Sequence, residues 1–304
     1  VGGSLNDSVG YRLAGKTYQS DGYIDNTYLN ADDTNNFDET ALRGKLSIAT
    51  SSNLSLGLTV FYADIDNGYD VFNYDNLRKT LSNEPGHDRQ ETLAAAISSD
   101  WAINDSLSLE ANLSHANSNI EYGFDEDWRN PEFCIVETCT FGPDDYHTAF
   151  DNYKRDNQNT AIDIRLISDE TNSSTNWVVG IYHRNQSVDL NQVYTDSGSF
   201  SFFSSEYDTS NTALYSDLSH DITDSLTLSI GGRIEARDAD YRDSTAFEPP
   251  STDETLWGAK ISLSYQITNE QIVYSTLSRG YKPGGMNSNS AVPEAFREYD
   301  TETM

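Results

Sequence analysis

The chain has 304 residues, and its 49 Asp and Glu against 19 Lys and Arg give a formal net charge of −30. This balance excludes a nucleic-acid-binding protein, because phosphate contacts need clustered Lys and Arg and the basic residues here are scattered singly. The 19 Tyr, 12 Phe and 4 Trp exclude a disordered acidic tail, since such segments are poor in aromatic residues. No run approaches 18 consecutive apolar residues, so a transmembrane helix is also excluded.

Apolar and polar residues alternate over long segments, which is the pattern of β-strands with two different faces. Over 226–236, Leu and Ile residues share one face while Thr, Ser, Arg and Glu residues share the other. Each segment is long enough for a tilted crossing of a membrane, which needs about 9–11 residues. About eleven strands are predicted, over residues 8–19, 38–50, 53–66, 89–102, 106–122, 150–168, 175–190, 205–221, 225–240, 255–267 and 270–281.

Short polar breaks alternate along the chain with long connections. The break recurs as Leu5-Asn6-Asp7-Ser8, Ile103-Asn104-Asp105-Ser106, Ile222-Thr223-Asp224-Ser225 and Ile267-Thr268-Asn269-Glu270, with two further breaks at 51–53 and 171–174. The long connections are predicted at about 20–37, 67–88, 122–149, 191–204 and 241–254. Short turns at one end and long loops at the other predict an all-β, antiparallel, up-and-down transmembrane β-barrel.

Aromatic residues lie near both predicted ends of the strands. Trp101, Trp177 and Tyr265 stand beside short breaks, whereas Tyr62 and Trp257 stand toward the long loops. This placement predicts two interfacial girdles. A β-propeller is disfavoured because each of its repeats packs four short strands, and a soluble sandwich or lipocalin-like barrel has no reason to confine long loops to one end.

The only two cysteines lie close together, at Cys134 and Cys139, inside one long loop. We expect a disulfide that closes this loop in an oxidising compartment. A zinc site or a reactive thiol is the alternative, with His147 as the nearby candidate ligand.

The connection 122–147 holds seven acidic residues and one arginine. A solvated outer loop explains this charge, and calcium binding by carboxylate oxygens is the functional alternative, although no EF-hand spacing is present. No other cofactor or metal is expected. The five histidines are widely separated, and neither a nucleophile motif nor a phosphate-binding glycine loop is present, so we do not expect an enzyme.

The last third of the chain carries a family resemblance. A strand over 256–265 is followed by a serine-rich strand over 274–279 and by Gly280-Tyr281-Lys282-Pro283-Gly284-Gly285, with an acidic entry to a next strand at 299–303. These stretches resemble the TonB-dependent outer-membrane receptors. Stretches at 41–46, 68–72 and 228–233 also fit, so the resemblance covers essentially the whole chain.

This resemblance implies a 22-stranded barrel, plugged by an N-terminal globular domain, in the bacterial outer membrane. Such receptors import a scarce nutrient, such as a ferric siderophore, haem or cobalamin, with energy from the TonB–ExbB–ExbD system. Residues 1–304 are expected to form part of one barrel domain, and the plug, the TonB box and the last strands lie elsewhere in a longer protein.

The predicted function is TonB-dependent uptake of a small molecule or metal chelate. A passive porin-type channel and an adhesive or structural barrel are the alternatives. The predicted partners are outer-membrane lipid and, through the plug, TonB; nucleic acid is not among them. Candidate ligand contacts are Tyr69, Trp128, Tyr146, Arg279 and Lys282.

In the stretch Gly280–Gly285, Pro283 is expected to end a strand, and Gly284-Gly285 to permit a bend of the backbone.

Overall fold

The computed structural model describes residues 1–73, 76–133, 148–168, 173–245, 251–288 and 292–304. Long antiparallel strands dominate these residues, and none of their helices is both long and apolar enough to cross a membrane. A 3-10 turn covers Glu294–Phe296. The strands are β1 (Gly2–Asn6), β2 (Val9–Ser20), β3 (Asp25–Asn26), β4 (Phe37–Ser51), β5 (Leu54–Tyr69), β6 (Lys79–Thr80), β7 (Gly86–Asn104), β8 (Leu107–Asp125), β9 (Ala149–Ser168), β10 (Thr175–Asp196), β11 (Ser199–Thr223), β12 (Leu226–Asp243), β13 (Thr252–Thr268), β14 (Gln271–Arg279), β15 (Tyr281–Lys282), β16 (Gly285–Met286), β17 (Glu298–Tyr299) and β18 (Glu302–Thr303).

Twelve of these strands form one open sheet. Their order is β1-β2-β4-β5-β7-β8-β9-β10-β11-β12-β13-β14, and every neighbouring pair is antiparallel. Each long strand therefore lies beside its neighbours in the chain, which confirms the predicted up-and-down architecture. The sheet has one strand more than the eleven predicted, because the short β1 contains two adjacent glycines that hide its alternation.

Four of the short turns share one stabilising contact, which explains why their sequence recurs. The side-chain oxygen of Asn6 accepts a hydrogen bond of 2.8 Å from the backbone N–H two residues later, and that of Asn104 accepts one of 2.9 Å. Thr223 and Thr268 make the same contact through their hydroxyls, at 3.3 and 3.2 Å. An Asn or Thr side chain thus replaces a ladder partner where the chain reverses.

A β-bulge precedes each of these four turns. The ladder register shifts at Leu5, Ile103, Ile222 and Ile267, the apolar residue just before the Asn or Thr. All four side chains are exposed, and they lie at the same end of the sheet. A bulge adds twist and turns a side chain outward, so the motif places an apolar residue at the short-turn rim of the wall.

The predicted long loop over 191–204 is wrong. β10 and β11 pair without interruption from Thr175 and His220 up to Asp196 and Ser199, and a two-residue turn joins them. Ser197 and Gly198 have φ values of 49° and 85°, the positive values that the tightest β-hairpins require. The other predicted loops correspond to observed connections.

The two faces of the sheet differ in chemistry. The face exposed to the outside carries an apolar band next to the short turns, and the opposite, luminal face is polar. Few residues are fully buried, so the strands are held together mainly by their backbone hydrogen bonds, as in the wall of a membrane barrel. The exposed apolar band includes Leu13, Leu42, Leu58, Leu93, Ile97, Leu113, Ile164, Ile181, Leu214, Ile234, Trp257 and Ile261.

Candidate functional site

Five aromatic side chains meet at the long-loop end of β5 and β8. The ring of Phe72 stacks on that of Trp128, with centroids 5.0 Å apart and planes at 14°, and contacts the edge of Tyr69 at 5.7 Å. Tyr122 lies 4.9 Å from Tyr69 and 5.5 Å from Phe124. We call these five residues the rim aromatic cluster. Two predicted ligand contacts, Tyr69 and Trp128, are thus in one cluster, joined by the unpredicted Phe72.

A buried carboxylate holds the loops beside this cluster. Asp70, only 4% exposed, accepts three hydrogen bonds on its Oδ2 atom. The donors are the amide of Asn26 at 2.9 Å, the hydroxyl of Thr34 at 2.7 Å and the hydroxyl of Thr80 at 2.8 Å. Because Asn26 and Thr34 belong to the first long loop and Thr80 to the second, Asp70 joins the two loops.

The third long loop is bonded to the second. The amide of Asn130 donates to the carbonyl oxygen of Leu81 at 3.0 Å, and the backbone N–H of Asn83 donates to that of Arg129 at 3.2 Å. The amide of Asn83 also donates to the hydroxyl of Thr148 at 3.0 Å. Residues 21–36, 70–73, 76–85 and 126–133 therefore form one hydrogen-bonded unit, which we call the loop block.

Asp125, the last residue of β8, fixes the backbone under Trp128. Its Oδ1 atom accepts hydrogen bonds from the backbone N–H groups of Asp127 at 3.1 Å and Trp128 at 3.0 Å. Trp128 has a φ of 56°, an uncommon value that this contact stabilises. Asp125 lies above the apolar band, and burial, reinforced by the facing Asp127 carboxyl, raises the pKa of Asp125 to about 7.

Calcium binding in the third loop stays a prediction. Within the described parts of the chain, no group of three or more His, Cys, Asp or Glu side chains is arranged to hold a metal ion. Asp144 and Asp145 lie outside the described residues, as do Tyr146, His147 and the predicted disulfide partners Cys134 and Cys139.

A cavity of about 1090 Å³ lies on the luminal face of β10 to β13. β12 supplies Arg233, Glu235 and Arg237 at alternate positions, so all three point into the cavity. Arg233 pairs with Glu235 at 2.6 Å, and Arg237 donates to the hydroxyl of Tyr207 at 2.8 Å. Arg184 also lines this cavity and donates from Nε to an amide oxygen at 2.9 Å. The cavity thus offers guanidinium and phenol groups to a polar or anionic ligand.

Residues 280–285, which we call the signature segment, fold back over this cavity. The Tyr281 hydroxyl donates to Glu235 at 3.0 Å and accepts from Arg233 at 3.2 Å. The predicted backbone bend at the two glycines has a different basis, because neither adopts a positive φ. A Cβ atom on Gly284 would lie 2.6 Å from the carbonyl oxygen of Tyr299, and one on Gly285 would lie 2.5 Å from its hydroxyl. The glycines therefore permit close packing of β16 against β17.

Arg297 lies beyond the signature segment and bonds the chain there to β12. Its guanidinium is buried, forms an ion pair with Asp243 and donates to the hydroxyl of Tyr241 at 2.8 Å. A further bond of 2.9 Å runs from its Nε atom to the carbonyl oxygen of Asn287. A buried guanidinium with these partners fixes the loop geometry, and nothing in the sequence pattern distinguishes Arg297 from a solvated arginine.

The remaining predicted contacts lie apart from the rim aromatic cluster. Arg279 is on the outward face, where its guanidinium carbon lies 3.9 Å from the ring centroid of Trp257 and its Nη1 atom donates to the Trp257 carbonyl oxygen. Lys282 is exposed, with its ammonium 3.8 Å from Glu302. Ligand contact by Arg279 and Lys282 stays a prediction, and the structure places Arg279 beside Trp257 and Lys282 in the β15–β18 pair.

An antiparallel wall of long strands, apolar outside and polar inside, with its loops gathered at one end, defines the class of outer-membrane β-barrels. The family model described as "TonB dependent receptor-like, beta-barrel" matches residues 10–298. The chain therefore belongs to this family, which places it in the bacterial outer membrane.

Curated relatives match part of the chain. The pesticin receptor of Yersinia enterocolitica serotype O:8 is 33% identical over 119 residues, which are 36% of this chain and 17% of the relative. The pesticin receptor of Yersinia pestis is also 33% identical over 119 residues, with the same shares of each chain. The aligned part is thus a small fraction of either relative.

Solved structures match nearly all of the chain. The ferric yersiniabactin uptake receptor FyuA of Yersinia pestis has a TM-score of 0.79 at 17% identity, covering 99% of this chain and 46% of its own. BauA, the ferric preacinetobactin receptor of Acinetobacter baumannii, has a TM-score of 0.69 at 15% identity, and the match covers 99% of this chain and 47% of BauA. The chain spans about half the length of these receptors, whose likeness shows the fold.

Proposed function

We propose that this chain is part of the barrel of a receptor for TonB-dependent uptake of a scarce nutrient, and that the ligand is a ferric siderophore or a similar metal chelate. The observation that carries the proposal is the rim aromatic cluster, held by the loop block, and a polar cavity on the luminal face of β10 to β13 accompanies it. The similarity to receptors described as binding ferric yersiniabactin and ferric preacinetobactin supports the same ligand class.

In this proposal, the rim and the lumen contact different chemical groups of the ligand. Flat rings at the rim stack with an aromatic group of the ligand, which adds about 0.5–1.5 kcal/mol per ring pair beyond area burial. Luminal groups such as Arg184 and Tyr207 then donate hydrogen bonds to anionic ligand oxygens, while Arg237 is buried and paired with Glu254 at 3.4 Å. The plug of the whole receptor couples to the TonB–ExbB–ExbD system, and no step of the proposal is catalytic.

The test is iron uptake by the full-length receptor. We expect Phe72→Ala and Trp128→Ala each to reduce uptake of one class of ⁵⁵Fe chelate about tenfold, since each loses ring contacts. The probes are catecholate, phenolate and hydroxamate complexes of iron(III), and deletion of TonB should abolish uptake of the chelate that is transported.

The matched control is Phe200→Ala. Phe200 is also exposed and stacks on Phe202 at 6.5 Å, but it lies at the tip of the β10–β11 hairpin, away from the cluster. Its replacement should leave uptake unchanged. Uptake that persists without TonB would instead favour a passive channel, and the absence of both binding and uptake across the probes would favour an adhesive or structural barrel.

A further inference from the structure

We propose that Asp70 is a positioning residue, whose buried carboxylate fixes the rim aromatic cluster in the arrangement that captures ligand. Capture by the cluster rests on the proposed function. The positional role does not, because it concerns the geometry of the rings alone.

The place of Asp70 in the chain is the first support. It lies between Tyr69, the last residue of β5, and Phe72, which stacks on Trp128. Beyond Phe72, the side chain of Asn73 bonds to the backbone of Leu77 at 2.8 and 2.6 Å. Before Tyr69, the backbone N–H of Gly68 donates to the carbonyl oxygen of Asn36 in the first long loop at 3.0 Å. Among the described residues from Asp70 to Asn73, Asp70 is thus the side chain that hydrogen-bonds to another loop.

The second support is the number and burial of the bonds that Asp70 accepts. Three donors converge on one oxygen, and two of them, Asn26 and Thr80, are 1% and 0% exposed. Loss of the acceptor would leave buried donors without a partner, which is more costly than loss of an exposed bond. The segment would then move until water reaches these donors, and the rings of Tyr69 and Phe72 would move with it.

The third support is the division of the cluster between two anchored strands. Asp70 holds the β5 half, which contains Tyr69 and Phe72, while Asp125 holds the backbone of Trp128 in the β8 half. The two halves meet at the Phe72–Trp128 stack and the Tyr69–Tyr122 contact. Displacement of one half therefore unstacks Trp128 while the backbone beneath it stays in place.

The experiment uses ¹⁹F NMR of the full-length receptor labelled with 5-fluorotryptophan. The Trp128 resonance is assigned by its loss in W128F, and F72A defines the resonance of the unstacked ring. We expect D70A to move the Trp128 resonance at least half of the way to the F72A position. We expect D70N, which keeps an acceptor oxygen in place, to restore most of the native shift.

The matched control is D66A. Asp66 is an aspartate of β5, four residues before Asp70, and it is exposed and paired with Arg89 at 2.6 Å, so its replacement should leave the Trp128 resonance unmoved. If D70A does not insert into the membrane, T80V gives the same test, because it removes one buried donor and keeps the side-chain volume. A native Trp128 resonance in D70A, or in T80V where that variant is needed, overturns the proposal.

A binding arm separates this inference from the proposed function. The probe is the tris-catecholate complex of iron(III), titrated while the Trp128 resonance is observed. We expect D70A to weaken binding about tenfold and D70N to remain within about threefold of the native affinity. If F72A binds the probe as tightly as the native receptor, the cluster is not its capture site. The positional role of Asp70 is then still decided by the resonance shift in D70A.

Discussion

At the scale of single residues, the loops above the barrel wall are ordered by carboxylates with contrasting partners. Asp70 is surrounded by neutral donors, whereas Asp243 forms an ion pair with the buried Arg297. Asp125 faces a second carboxyl, that of Asp127, and its folded-state pKa of about 7 lies above the reference value of 3.8. The folded loop block therefore binds a proton at Asp125 more tightly than the unfolded chain does.

This difference predicts how the loop block responds to pH. Because the folded pKa of Asp125 is raised, its stabilising contribution is fully present below about pH 4 and is lost as the pH rises through about 7. Limited proteolysis of the loops in the full-length receptor should accelerate between pH 5 and pH 8. In D125N the acceleration should be smaller, since Asn still accepts the backbone bonds without titrating. An equal acceleration in D125N would contradict this assignment.

At the scale of elements, the hairpin turns explain a recurring sequence signal. Asn6 and Asn104 use an amide oxygen where Thr223 and Thr268 use a hydroxyl, yet all four accept the same backbone bond. The recurring feature of the motif is thus an acceptor at a fixed place after a bulge, and the residue type varies.

A pair of variants tests this equivalence. Asn104→Ala removes a 2.9 Å bond and should lower the free energy of unfolding by about 0.5–1.5 kcal/mol. Asn104→Thr should be close to neutral, because Thr serves at two sister turns. Reversible urea unfolding of the receptor in lipid vesicles gives both values, and equal losses in the two variants would refute a shared acceptor role.

The sequence predicts a strand where one of its faces meets the membrane. Next to the short turns, one strand face meets lipid and the other meets the lumen, so the alternation over 226–236 predicted β12 from sequence. Farther out, neither face needs apolar residues, and the polar ladder over 191–204 therefore reads as a loop. The site shows a similar limit. Tyr69 and Trp128 were predicted separately, but their connection through Phe72 depends on contact between distant loops.

At the scale of the whole molecule, charge is divided between the two faces. Beyond the apolar band, the outward face places acids directly opposite each other, as in Asp156 with Asp189 and Asp238 with Asp253. Cations such as Arg184, Arg237 and Lys260 lie on the luminal face. The chain's net charge of −30 is thus displayed mainly outside the wall and in the loops.

This division predicts that salt stabilises the barrel. Like charges directly opposite each other in a ladder are destabilising, and raising ionic strength from about 0.01 to 0.15 M shortens the screening length from about 30 to 8 Å. The melting temperature of the receptor in neutral vesicles should rise over this range. The rise should shrink in D238N, which removes one repulsion. In the control D217N, which loses a 2.7 Å ion pair with Lys260, the melting temperature in low salt should fall.

The same division of charge bears on the direction from which a ligand arrives. An anionic chelate that diffuses toward the side of the wall meets the potential of the outward carboxylates and is turned away. On the luminal face, the cavity of β10 to β13 offers it the guanidinium group of Arg184 and the phenols beside it. For an anionic ligand, the association rate therefore depends on repulsion by the outer wall and the acidic loops as well as on attraction by these luminal groups.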